Sequence, residues 1–110
     1  MDVTIKKEGS VDVIEINGQL DVSGSEKAQE AVLSAITKDG KLVIDMSRCD
    51  YVASSGLRSL LIIGKQSAQL NCETVLAGVQ PLVWDVIVMT GFEDVLKAYS
   101  TQEDAVAALK

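Results

Sequence analysis

Apolar and polar residues alternate along two short segments at the start of the chain, residues 2–8 and 11–17. In the first segment Val3 and Ile5 fall on one side, and Thr4 and Lys6 fall on the other. Only Gly9 and the serine after it separate the two segments. This pattern predicts an antiparallel β-hairpin.

An amphipathic helix is predicted for residues 23–40. Either Ser23 or Ser25 can cap its N-terminus, and Gly40 can end it. Its apolar residues recur with the spacing of a single helical face, at Ala28, Val32, Leu33 and Ile36.

Strand-like and helix-like patterns then alternate. The strands are predicted at 41–47, 72–78 and 94–100, and the helices at 54–70, 81–91 and 101–110. The uninterrupted apolar run at 42–44 indicates a strand buried on both faces. Pro81 suits a first helical turn and Gly91 a helix end, while Thr101 followed by Asp104 has the form of a capping box.

The predicted order of elements is β-β-α-β-α-β-α-β-α. After the hairpin, strands that alternate with helices imply parallel pairing through right-handed crossovers. We therefore expect an α/β fold with a single mixed β-sheet. The helices should pack mainly on one face of the sheet, the first strand should lie at an edge, and residues 1–110 should form a single domain.

Composition narrows the classes of partner. The 110 residues carry a formal net charge of -6 and only 4% aromatic residues, so no basic surface for nucleic acid is expected. Without an apolar run that could cross a membrane or act as a signal peptide, we expect a soluble cytoplasmic protein. Cys49 and Cys72 are too far apart for a paired motif, which fits reduced thiols.

The sequence contains no histidine. This excludes Ser-His and Cys-His catalysis and histidine metal sites, and no phosphate-binding glycine motif is present. We therefore expect neither a metal nor a cofactor, and no enzymatic activity. A nucleophilic Ser54 remains the enzyme alternative, but it lacks a base, because Lys65 lies well down the same helix.

Ser54 and Ser55 stand where the third strand passes into the second helix. In alternating α/β chains the carboxyl ends of the strands face the N-termini of the helices, so both serines should lie at this edge of the sheet. Ser54 suits a simple N-cap, and it also suits a phosphorylation switch, since a helix N-terminus favours a phosphate. Asp45 is predicted at a strand end and Asp21 after a strand, and structural or electrostatic roles are expected for both.

The segment "VIDMSRCDYVASSGLRSLL" resembles the signature of the STAS domain, the bacterial anti-sigma factor antagonist family. That signature has a strand whose last residues include an Asp, then a loop, then Asp-Ser-Ser/Thr-Gly-Leu opening a helix. The segment "INGQLD" is similar to the family's "GxLD" after the second strand, and "QPLVWDVIVMTGF" to its helix that starts with proline. The resemblance extends from about residue 3 to residue 109.

The resemblance implies a binding protein that is switched by phosphorylation. Compact members of the family bind an anti-sigma factor that is also a serine kinase, which frees the sigma factor. The kinase then phosphorylates the first serine of the motif, and a PP2C-type phosphatase removes the phosphate. By position the phosphoacceptor is Ser54, with Ser55 as second choice, and the implied partner-binding residues are Asp21, Ser54, Ser55, Gly56, Leu57 and Arg58.

This chain departs from the pattern at one position. Most such members carry Asp before the phosphorylated serine, and here that position is Ala53. The alternative is therefore a STAS scaffold that does not switch, as an accessory subunit of a signalling or transport assembly. That alternative predicts a constitutive partner and an unmodified Ser54.

Overall fold

The computed structural model describes residues 1–110. Its five strands are β1 (Asp2–Glu8), β2 (Val11–Asn17), β3 (Lys41–Arg48), β4 (Glu73–Ala77) and β5 (Lys97–Tyr99). Its four helices are α1 (Val22–Ala35), α2 (Ser54–Gln69), α3 (Pro81–Met89) and α4 (Gln102–Leu109). The order predicted from the sequence is confirmed.

The strands form a single mixed sheet in the order β1-β2-β3-β4-β5. β1 pairs antiparallel with β2 at one edge, as predicted, and every later pair is parallel. Each crossover leads to the neighbouring strand in the same direction. Because such crossovers are right-handed, α1, α2 and α3 must all lie on one face. α4 follows the last strand and covers the other face.

Two apolar cores follow from this arrangement. The side chains of β3 alternate between them, so that Leu42 and Ile44 pack beneath α1, α2 and α3 while Val43 packs beneath α4. All three are fully buried, which confirms the prediction of a strand covered on both faces. The larger core holds the apolar faces of three helices, so the helices do lie mainly on one side.

The end of α3 agrees with the prediction from the sequence, and the end of α1 differs from it. Gly91 follows α3 with φ 77°, and the amides of Gly91 and Phe92 donate back to Val88 and Ile87 in a Schellman motif. The prediction that Gly40 ends the first helix is wrong. α1 stops at Ala35, because the buried Ile36 is already extended.

The last strand is shorter than predicted. The segment 94–100 was expected to be extended, but only Lys97–Tyr99 pairs with β4. Before it the chain turns, and the Val95 amide donates to the Phe92 carbonyl over 3.1 Å. The predicted capping box of α4 is present, since Thr101 Oγ1 accepts a 3.1 Å bond from the Asp104 amide.

Candidate functional site

The loops that lead from β2, β3 and β4 into the helices lie at one edge of the sheet. We call this edge, where the three strands end, the carboxyl edge. The loop after β2 runs beside the loop after β3: the Leu20 amide donates to the Tyr51 carbonyl over 2.9 Å, and the Ala53 amide donates to the Leu20 carbonyl over 2.9 Å. Parallel pairing thus continues past the strands, with a bridge between Leu20 and Val52. The start of α2 is fastened to the loop that leads into α1.

Gly56 brings the first turn of α2 against this paired backbone. A Cβ atom at position 56 would stand 2.8 Å from the carbonyl oxygen of Leu20 and 2.8 Å from a methyl group of Val52. Gly56 is buried. Gly56 therefore allows the start of α2 to pack closely against Leu20 and Val52, beneath the serine pair. It is not itself part of the exposed surface beside Ser54.

The prediction that Ser54 caps α2 is wrong. The N-cap residue is Ala53, which is held extended by its bond to Leu20, and Ser54 is the first helical residue. Ala53 has no side-chain oxygen, so no side chain caps the helix. The amides of Ser54, Ser55 and Gly56 donate to no acceptor in the protein, and we call them the free amides of α2.

α1, by contrast, is capped by an aspartate. Asp21 Oδ1 accepts a 2.8 Å bond from the Gly24 amide. The prediction of Ser23 or Ser25 as the cap is wrong, because the helix starts at Val22, before both of them. Asp21 lies at the carboxyl edge, as the sequence indicated, and its carboxylate already holds the first turn of α1.

The two serines of the pair differ in their surroundings. Ser54 is exposed at the carboxyl edge. The hydroxyl of Ser55 is half-buried and lies 3.5 Å from that of Ser25, which is only 2% exposed on α1. One turn later, Ser59 Oγ donates to Gln29 Oε1 over 2.8 Å. Ser55 therefore belongs to the contact between α1 and α2, and Ser54 faces outward.

The remaining predicted site residues divide between core and surface. Leu57 is 7% exposed and packs in the larger core, so its side chain supports the helix start from below. Arg58 is exposed and makes no ion pair. It lines a groove of about 400 Å³ between α1 and α2, together with Ser25, Gln29 and Ser55.

Cys49 lies directly before the loop that carries Tyr51. Its side chain is fully buried, and Sγ lies 3.4 Å from the Tyr51 carbonyl, to which it donates. Burial raises the pKa of the Cys49 thiol above its ordinary value, and backbone hydrogen bonds oppose this only in part. Cys49 and Cys72 are both free and buried.

Asp45 faces away from the serine pair, on the side of the sheet that α4 covers. It is 9% exposed, and its two oxygens accept from the Ser47 amide over 2.8 Å and from Gln102 Nε2 over 2.7 Å. The same nitrogen of Gln102 donates to Glu15 over 2.9 Å. Asp45 therefore ties α4 to the sheet, in keeping with the structural role predicted for it.

Two further observations bear on the chemistry of the molecule. No group of three or more Cys, Asp or Glu side chains is placed so that it could hold a metal ion. None of the helices combines the length and the apolar character that a membrane crossing requires.

Three surface residues of the carboxyl edge were not predicted from the sequence. Val22, Tyr51 and Leu82 are large apolar residues that remain exposed. A signal for Leu82 was present, because it falls outside the stripe of Val83 and Ile87 that faces the core. Trp84, two residues later, is half-buried and packs against the larger core.

The chain is similar in sequence and in structure to several known proteins. BtrV of Bordetella bronchiseptica, whose name gives it as a candidate anti-sigma factor antagonist, is 29% identical over 111 residues, covering 100% of this chain and 96% of BtrV. An anti-sigma factor antagonist (STAS) domain protein from Planctomyces limnophilus superposes with a TM-score of 0.85 at 22% identity, over 99% of this chain and 98% of that one.

The phosphorylated form of SpoIIAA, a cell fate determinant of Bacillus, superposes with a TM-score of 0.74 at 19% identity, over 99% of this chain and 100% of SpoIIAA. At such identities the two structural matches establish the fold. The family model of the STAS domain matches residues 2–105. Because that match spans nearly the whole chain, this protein belongs to the STAS domain family.

Proposed function

We propose that this protein is an anti-sigma factor antagonist whose binding is switched off by phosphorylation of Ser54. It binds an anti-sigma factor with serine kinase activity through the carboxyl edge and so frees a sigma factor. A PP2C-type phosphatase restores the unmodified form. The chain itself supplies a binding surface and a phosphoacceptor, and it catalyses nothing.

The observation that carries this proposal is the outward placement of Ser54 above the free amides of α2. Ser54 is exposed, whereas Ser55 lies against the buried Ser25. A kinase can therefore reach the Ser54 hydroxyl without disturbing the contact between α1 and α2. This favours Ser54 over Ser55 as the acceptor.

The transfer itself needs no catalytic group in this chain. The Ser54 oxygen attacks the γ-phosphorus of ATP held by the kinase, the bond to the leaving ADP breaks, and the hydroxyl proton passes to a base of the kinase. The product carries about -1.5 to -2 charges at neutral pH. The unsatisfied N–H groups and the dipole of α2 favour such a charge at this helix end, so the fold tolerates it.

Loss of binding follows from desolvation. A partner face that fits a neutral serine would have to strip water from a dianion when Ser54 is phosphorylated, at a large cost in free energy. A loss of about 3 kcal/mol lowers the affinity roughly a hundredfold, since about 1.4 kcal/mol corresponds to a factor of ten. That change is large enough for a switch.

Ser54→Asp tests the proposal. The variant should keep the unfolding midpoint of the parent and bind the purified anti-sigma factor at least about tenfold more weakly, by the same relation between free energy and affinity. Ser54→Asn is the matched control, because it has the shape of Ser54→Asp without the charge, and it should bind more tightly than Ser54→Asp. A Ser54→Asp protein that binds as tightly as the parent would leave the constitutive scaffold as the better account.

A further inference from the structure

Three exposed apolar side chains lie at the same edge of the sheet as Ser54. Val22 is 72% exposed, Tyr51 is 50% exposed and Leu82 is 77% exposed. Val22 is the first residue of α1, Tyr51 lies in the loop before α2, and Leu82 is the second residue of α3. Each therefore belongs to a different strand-to-helix connection.

Hydrogen bonds hold these connections side by side. The Tyr51 carbonyl accepts from Leu20, two residues before Val22. Gln80 Nε2 donates over 3.0 Å to the carbonyl of Ser47, which places the start of α3 next to the last residues of β3. β2, β3 and β4 are neighbours in the sheet. Because adjacent strands lie about 4.8 Å apart, the starts of the three connections span about 10 Å, which is small compared with a protein interface.

Their exposure is not required by the fold. In α3 the core is filled by Val83 and Ile87, which are 2% and 3% exposed, while Leu82 points away from them. A single exposed apolar residue is ordinary, but several gathered from separate elements are typical of a protein interface. Tyrosine in particular is enriched among the residues that dominate binding energy.

Acidic residues accompany all three. Asp21 precedes Val22, Asp50 precedes Tyr51, and Asp85 follows Leu82 by three positions, on the same side of α3. Asp50 and Asp85 are exposed. Tyr51 and Leu82 thus lie beside exposed negative charge, whereas Val22 shares its groove with the exposed Arg58. A surface complementary to Tyr51 and Leu82 has apolar pockets bordered by Lys or Arg.

We propose that Val22, Tyr51 and Leu82 are the apolar anchors of the partner-binding surface, and that Tyr51 and Leu82 seat in pockets bordered by cationic residues on the anti-sigma factor. This inference rests on the proposed function. It also explains the sensitivity to phosphate, because a dianion on Ser54 would stand among the anchors, in the part of the contact that excludes water.

The test uses Tyr51→Ser and Leu82→Ser in the full chain, with binding to the purified anti-sigma factor measured by calorimetry. Each variant should weaken binding at least about tenfold, as expected for a buried anchor. Met89→Ser is the matched control: Met89 is 85% exposed on the same helix as Leu82, but lies about 10 Å further along its axis. It should leave binding unchanged.

The outcomes separate the inference from the function on which it rests. If the parent binds and the two anchor variants bind like Met89→Ser, the anchors are wrongly assigned and the proposed function stands. If the parent does not bind, the proposed function fails and the inference fails with it. If sedimentation shows that the variants abolish a dimer of this chain while binding is unaffected, the surface belongs to a second copy, and the inference is overturned.

Discussion

A Cβ atom on Gly56 would stand 2.8 Å from both the Cβ atom and the carbonyl oxygen of Leu20. This contact joins the first turn of α2 to the loop before α1. The same loop binds the backbone of Tyr51 and Ala53 through its Leu20 residue. The serine pair thus stands on closely packed backbone, which fixes where Ser54 emerges at the surface.

Gly56→Ala should destabilise the protein by about 1–3 kcal/mol, as overpacking of a closed contact does. The reason is that backbone atoms and a β-branched side chain of Val52 surround the position, so none of them can move aside cheaply. Urea unfolding measures the change. Ser54→Ala at the exposed neighbouring site is the control and should shift stability by no more than about 0.5 kcal/mol. Equal stability of Gly56→Ala and the parent would contradict the packing described.

Ala53→Asn should raise the free energy of unfolding by about 1 kcal/mol, because the amide oxygen can accept from the free amides of α2. Ala53 already has the extended backbone that an N-cap requires. The control is Lys65→Asn, at an exposed position inside the same helix, which should lower stability by about 0.5 kcal/mol through helix propensity. The prediction fails if the two substitutions change the urea midpoint in the same direction.

Gln102→Leu should cost about 1–3 kcal/mol of stability, since it leaves one oxygen of the buried Asp45 carboxylate without its donor. In the parent, Gln102 Nε2 donates to Asp45 over 2.7 Å and to Glu15 over 2.9 Å. Glu103→Ala, at the exposed next residue, keeps this network and serves as the control. Thermal unfolding measures the difference. If both variants unfold at the same midpoint temperature as the parent, the hydrogen bonds of Gln102 contribute nothing to stability and the prediction is wrong.

Cys49 should make stability fall at alkaline pH. Burial raises the pKa of this thiol in the folded protein, so it stays neutral where an unfolded thiol ionises. Below the pKa of the unfolded thiol, about 8.5, the contribution of Cys49 to the free energy of unfolding is at its full value. This contribution is lost as the pH rises toward the higher pKa that the thiol has in the folded protein. Cys49→Ala removes this component. Urea unfolding at about pH 7.5 and about pH 9.5 should therefore show a larger loss in the parent than in Cys49→Ala, and equal losses would refute the assignment.

Hydrophobic periodicity predicted the order of strands and helices, because the number of buried faces of an element determines the spacing of its apolar residues. The run at 42–44 is an example: its three residues are divided between the two cores. Handedness then placed three helices on one face. The serine pair could be assigned to the carboxyl edge for the same reason.

The details of the site could not be predicted, because they depend on contacts between loops. Ser54 had the chemistry of an N-cap, yet Ala53, whose amide donates to Leu20, is the last extended residue, so the helix begins one residue earlier than a cap at Ser54 would require. Ser23 and Ser25 were plausible caps for α1 until the structure showed that Asp21 turns the chain earlier. The different surroundings of Ser54 and Ser55 likewise depend on Ser25, which is distant in sequence.

The central claim is that Ser54 receives one phosphate that abolishes binding. Its most direct test is incubation of the parent, Ser54→Ala and Ser55→Ala with the purified anti-sigma factor kinase and Mg-ATP, followed by intact mass and calorimetric titration. The account predicts one phosphate on the parent and on Ser55→Ala and none on Ser54→Ala, with binding lost only in the phosphorylated proteins. A phosphate on Ser54→Ala, or a phosphorylated parent that still binds as tightly as before, would contradict it.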